Sequence, residues 1–163
     1  MELSEVQLLM LNNLVYLEKF TEESAEGKTI GQILDSLNEE DFNSAGGATS
    51  ITEWKQIAAH AINDQQLKSL YIYRVQTDER GAKILCVSDC APNQVTESSQ
   101  AVVVFSGTGQ NEWRDDAVAG AQISTEQQER ALEFVNELPM EKVLVTGHSK
   151  GGNKAMFVAV LSD

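Results

Sequence analysis

The fold turns on Val143-Leu144-Val145-Thr146-Gly147-His148-Ser149-Lys150-Gly151-Gly152-Asn153-Lys154-Ala155-Met156-Phe157-Val158-Ala159-Val160. An apolar run stops at a glycine, a serine follows, and helical periodicity begins directly afterwards. This pattern predicts a strand, a sharp turn and a helix, with Ser149 at the apex. Glycines on either side of the serine let the chain pass close to itself. The turn would lift the hydroxyl at the carboxyl edge of a sheet, and the helix would aim its positive end at the same place. A plain glycine-rich turn is the competing structural reading.

Upstream, Ala101-Val102-Val103-Val104-Phe105 is a continuous apolar run of the kind buried on both faces of a sheet. A helix over 124–138 follows, with Ala131, Leu132, Phe134, Val135 and Leu138 on one side and Pro139 as its stop. Val143–Thr146 reads as the next buried strand. Strand, helix, strand, helix implies a parallel crossover and an α/β sheet. Leu70–Val75 and Lys83–Val87 are rich in β-formers and flank the turn signal Asp78-Glu79-Arg80-Gly81, so they read as a hairpin at one edge.

Residues 1–66 read as a helical segment and 67–163 as the sheet-bearing unit. Ser4-Glu5-Val6-Gln7, Thr29-Ile30-Gly31-Gln32 and Ser50-Ile51-Thr52-Glu53 are capping-box patterns. The expected apolar stripes are Val6, Leu9, Met10, Leu14 and Leu17 on the first helix and Ile30, Ile33, Leu34 and Leu37 on the second. Trp54, Ile57, Ala58, Ala61 and Ile62 form the third. Phe42–Ala48 is expected to be a flexible connection.

Composition limits the partners. The chain has 163 residues, 42% of them apolar, and only two prolines, which argues for a packed domain. A net charge of −13 disfavours nucleic acid and anionic membrane surfaces. No apolar run reaches the roughly 20 residues of a membrane span. The acidic start lacks the basic flank of a signal peptide, so a cytoplasmic protein is expected. Cys86 and Cys90 have no second ligand pair beside them. Packing for Cys86 and a free thiol for Cys90 are expected, with no metal site.

The second informative segment is Phe105-Ser106-Gly107-Thr108-Gly109-Gln110-Asn111-Glu112-Trp113-Arg114-Asp115. It lies at the carboxyl end of the first buried strand. In an α/β-hydrolase sheet that loop supplies one oxyanion-hole N–H, and the residue after the nucleophile supplies the other. The expected donors are the backbone N–H groups of Thr108 and Lys150. A nucleotide-phosphate loop is the alternative, but the third glycine position of G-x-G-x-x-G is Glu112, which faces phosphate badly. Glu112, Asp115 and Asp116 read as a solvated face. A cation at Lys150 opposes the helix macrodipole, which hints at a partner, either Asp115 or Asp116 or an anionic group of the substrate; an exposed lysine reaching solvent on its long stem is the equal alternative.

Together, F-S-G-T…N-E-W and G-H-S-K-G-G resemble the F-R-G-S/T…W and G-H-S-L-G-G signatures of class 3 lipases. They are closer still to the uncharacterised bacterial lipase-like relatives of those enzymes. The resemblance covers roughly residues 67–163. It implies an α/β-hydrolase fold, Ser149 as nucleophile, Thr108 and Lys150 as oxyanion donors, ester hydrolysis on lipid-like or small acyl substrates, and no cofactor. The arginine of F-R-G is Ser106 here.

A serine hydrolase also needs a histidine base and an orienting carboxylate, which in α/β hydrolases follow the serine. Residues 150–163 contain no histidine. His148 sits in the turn itself, where neighbouring side chains diverge. His60 lies on the third predicted helix, before the sheet. The expectation is therefore a nucleophile-bearing portion, inactive alone, whose Asp and His lie beyond Asp163. The alternative is an inactive hydrolase-like interaction module. With no strand expected on its far side, Val143–Thr146 would form an apolar edge. Pairing of that edge, in a homodimer or with a missing C-terminal portion, is expected.

Overall fold

The computed structural model describes residues 1–43, 50–79, 81–107 and 125–162. Four strands form one sheet in the order β1 (Tyr71–Thr77), β2 (Lys83–Ser88), β3 (Gln100–Phe105), β4 (Lys142–Gly147). The first two pairs are antiparallel, and β3 and β4 run parallel in register from Gln100 opposite Lys142 to Phe105 opposite Gly147. The chain is thus a mixed α/β structure.

The sheet divides the core in two, and strand alternation decides which residue goes where. Leu85, Val87, Val102 and Val104 face the N-terminal helices. Ile84, Cys86, Ala101, Val103 and Phe105 face the opposite layer. Ile72 and Val75 share a face despite their odd spacing, because the pairing register shifts between Ile72 and Arg74.

The N-terminal layer contains α1 (Glu5–Leu14), α2 (Ile30–Ser36), α3 (Glu39–Asn43), α4 (Ile51–Asn63) and α5 (Gln65–Ser69). All three expected capping boxes are formed, by Ser4 with Gln7, Thr29 with Gln32 and Ser50 with Glu53. Leu11, Leu14, Phe20, Ile30 and Trp54 join Leu85 and Val104 in one cluster. Segments 1–66 and 67–163 therefore share a core. The short helices α3 and α5 go beyond the three helices that periodicity suggested. Most of the expected connection after Phe42 lies outside the described residues.

The expected stripe of α1 is corrected. Val6 and Leu9 are exposed, and the inward residues are Gln7, Leu11 and Leu14. A glutamine holds an inward position because its amide reaches both Asp64 carboxylate oxygens, at 3.1 and 3.0 Å, and Gln66 Oε1 at 3.2 Å. A buried amide with partners costs little.

On the other face lie α6 (Thr125–Asn136) and α7 (Lys150–Leu161). Ala131, Phe134 and Val135 of α6 and Ala155 and Val158 of α7 close the second cluster. The expectation that β4 is buried on both faces is also corrected. Val143 and Val145 pack against α6 and α7, but Leu144 on the opposite face is 46% exposed. Among the described residues no strand pairs with the outer edge of β4. The outer edge of β1, by contrast, is occupied by the chain around Lys28. Gly27 N–H donates to the Ile72 carbonyl, Ile72 N–H to Lys28 and Ile30 N–H to Leu70, each at 2.8 Å.

Among the described residues no helix is long and apolar enough to cross a membrane. Both cysteines are free, Cys86 buried and Cys90 half-buried. No cluster of metal-ligating side chains occurs among the described residues.

Candidate active site

Ser149 stands between β4 and α7 with φ 57° and ψ −125°, the one positive φ outside glycine among the described residues. Holding a side chain there costs on the order of 1–3 kcal/mol, and such strain persists only where the surroundings enforce it. Here they do. A Cβ on Gly147 would overlap the backbone of Gly151, and a Cβ on Gly151 would overlap the Phe105 carbonyl. Both positions must be glycine for the first turn of α7 to sit against the ends of β4 and β3. Gly151 N–H then donates to the His148 carbonyl and Gly152 N–H to the Ser149 carbonyl, each at 3.0 Å, which starts the helix.

The apex side chains are accessible. His148 and Ser149 are exposed, and Lys150, the first residue of α7, is half-buried. Two cavities lined by described residues lie elsewhere. One is bounded by Asp78, Gln127 and Lys154 and the other by Met1, Lys142 and Leu144.

The loop leaving β3 meets the elbow. Ser106 is buried, its Oγ accepts the Lys83 N–H at 2.8 Å, and its own N–H donates to the Lys83 carbonyl at 2.9 Å. Lys154 reaches the same place from the inward stripe of α7. It is buried, and its ammonium donates to the Ser106 carbonyl at 3.3 Å. Gly107 N–H donates to Tyr16 Oη at 2.8 Å, which ties the loop to the N-terminal layer. Asn12 adds a second tie, its amide donating to Thr146 Oγ1 of β4 at 3.0 Å.

The structure therefore brings together Ser149, Lys150 and the Ser106–Gly107 end of β3. Thr108, the other expected oxyanion donor, lies outside the described residues, as do Glu112, Asp115 and Asp116. His60 is on the exposed side of α4 in the N-terminal layer. Among the described residues, neither it nor His148 hydrogen-bonds Ser149. Tyr16 and Lys154 were not singled out from sequence. Lys154 had a weak signal, a cation on the same helical stripe as Gly151, Ala155 and Val158. Tyr16 had none, because only the packing of α1 over the sheet brings it to the loop.

A family model covers residues 62–163, and it is the Mbeg1-like family. The chain belongs to the Mbeg1-like family. The match contains the entire sheet, both helices of its second layer and the Ser149 elbow. No curated protein and no solved structure matches the chain. The turn within the matched segment has a strained apex residue, glycines at the contact points and a helix beginning directly behind the apex.

Proposed function

We propose that this Mbeg1-like chain is the nucleophile-bearing portion of a lipase- or esterase-like serine hydrolase built on an α/β-hydrolase sheet. The observation that carries the reading is the backbone of Ser149. A non-glycine residue is held at φ 57° between a strand and a helix, at the carboxyl end of a parallel pair, with its side chain exposed. A turn with no chemical task would relieve that strain with glycine.

In this reading Ser149 Oγ bonds the acyl carbon of an ester and its proton passes to an imidazole base. The carbonyl electron pair moves onto oxygen, where the N–H groups of Lys150 and Thr108 receive it. Collapse expels the alcohol, which takes the proton from the base, and water then hydrolyses acyl-Ser149. Backbone donors of this type are worth about 3 kcal/mol each to the transition state. The substrate is a lipid-like or small acyl ester, and no cofactor takes part.

The base and its carboxylate come from outside the described residues, and we place them after Asp163. The second reading, an inactive hydrolase-like interaction module, is favoured by one observation. Ser149 has no histidine hydrogen-bonded to it among the described residues. Fluorophosphonate labelling of the full gene product separates the two. Labelling that Ser149→Ala abolishes supports the hydrolase, with little labelling of residues 1–163 alone. A full product that stays unlabelled sinks it.

A further inference from the structure

Gly107 lies between the Tyr16 hydroxyl and the turn that carries Ser149. A Cβ on Gly107 would lie 2.9 Å from Tyr16 Oη, 2.9 Å from the His148 carbonyl oxygen and 3.4 Å from Ser149 Cβ. The phenol and the serine thus lie on either side of Gly107, so close that no side chain fits at that position. Tyr16 comes from the turn after α1, 91 residues away in sequence. Its carbonyl accepts Lys83 Nζ at 3.4 Å, which fixes the backbone, and Leu14, Val15 and Leu17 around it are fully buried. The ring is therefore held from the core side, not placed by a free surface rotamer.

A phenol has one proton to donate and lone pairs to accept with. The oxygen of Tyr16 takes the Gly107 N–H. Among the described residues its proton has no acceptor. A half-buried hydroxyl with a satisfied oxygen and an unspent proton, beside a strained serine, is a donor awaiting an acceptor.

We propose that Tyr16 is a hydrogen-bond donor of the Ser149 site, its O–H reaching the acyl oxygen of the bound ester as negative charge gathers there. The inference rests on the reading of Ser149 as nucleophile. No proton is transferred in this step. The phenol O–H bond stays intact, and the hydrogen bond strengthens as the carbonyl becomes an alkoxide. Burial keeps the phenol protonated by raising its pKa above the ordinary value, with the Gly107 N–H pulling the other way. The donor also explains why the turn after α1, which lies outside the family match, is packed so closely over the loop. That turn completes the site.

The experiment uses the full gene product with p-nitrophenyl butyrate as probe ester. Three proteins are compared: wild type, Ser149→Ala and Tyr16→Phe. Tyr16→Phe is expected to lower kcat about 100-fold, in the range for loss of one oxyanion donor, with KM changed less than threefold. Its thermal transition should stay within a few degrees of wild type. A brace for the loop without a donor role would shift the transition and leave kcat intact. A Tyr16→Phe kcat within twofold of wild type overturns the proposal and leaves the Ser149 reading standing. Hydrolysis that Ser149→Ala does not abolish overturns the Ser149 reading, and the proposal with it. Should Tyr16→Phe lack a cooperative transition, Tyr16→His and Tyr16→Leu repeat the comparison. The imidazole keeps a donor and leucine does not, so equal kcat values overturn the proposal and a higher value for histidine supports it.

Discussion

Gly151 touches the Phe105 carbonyl so closely that no Cβ fits between helix α7 and the end of β3. The obstacle is backbone on both sides, so no side chain can swing away. Gly151→Ala should cost about 3 kcal/mol, the upper end for overpacking. For a domain of this size that lowers the thermal midpoint by about 6–12 °C. Differential scanning calorimetry of the variant checks it. An unchanged midpoint would mean that α7 can slide off the strand ends.

Ser149 and glycine exchange stability for function. Ser149→Gly removes the penalty of a side chain at φ 57°, and the larger entropy of the unfolded chain takes back part of the gain. The variant should be about 1 kcal/mol more stable than wild type in urea titrations. Ser149→Ala keeps the Cβ and the strain, so it should show no such gain. If both variants match wild type in stability, the elbow is not strained.

Stability should fall on the alkaline side. Burial pushes the Cys86 thiol far above its ordinary range, and the Arg74 charge offsets this only in part. The folded state therefore keeps its proton after the unfolded thiol has lost it. Stability from this group is full below the unfolded pKa of about 8.5. It declines above that by up to about 1.4 kcal/mol per pH unit. Tyr16 adds a decline of the same sign above about 10. Urea midpoints between pH 7.5 and 10 should fall for wild type and stay flatter for Cys86→Ala. Parallel curves would show that Cys86 is not the titrating group.

The outer edge of β4 should drive association. Leu144 faces solvent on this strand, and Met156 and Val160 of α7 are 65% and 80% exposed. Among the described residues that edge is unpaired, and such an apolar edge pairs with another strand, as from a second copy. Light scattering of residues 1–163 at micromolar concentration should give more than the monomer mass. Leu144→Lys should shift it toward monomer. A monomer mass for the unsubstituted chain contradicts this.

The parts of the fold governed by local chemistry could be read in the sequence. Capping boxes at Ser4, Thr29 and Ser50 depend on residues three apart, and β-rich runs separated by Gly81 depend on short-range turn geometry. The elbow could be read for the same reason, since Gly147, Ser149 and Gly151 act within one turn. What could not be read depends on packing across the chain. The inward face of α1 is set by Asp64 and Gln66 receiving Gln7, not by hydropathy. Leu144 is exposed on the face of β4 turned away from α6 and α7, and an apolar run carries no sign of which face stays uncovered. Tyr16 reaches Gly107 only because a helical layer folds over the carboxyl end of the sheet, a contact between residues 91 positions apart.

The two borders of the sheet are unlike. Residues around Lys28 seal β1 with backbone hydrogen bonds to Leu70 and Ile72, while among the described residues no strand pairs with the outer edge of β4. The sheet is a ribbon with one finished selvedge. Among the described residues, enlargement of the sheet by an inserted segment, a fused gene or a bound peptide has room at that open border, and the first strand added there lands beside the strand that leads into Ser149.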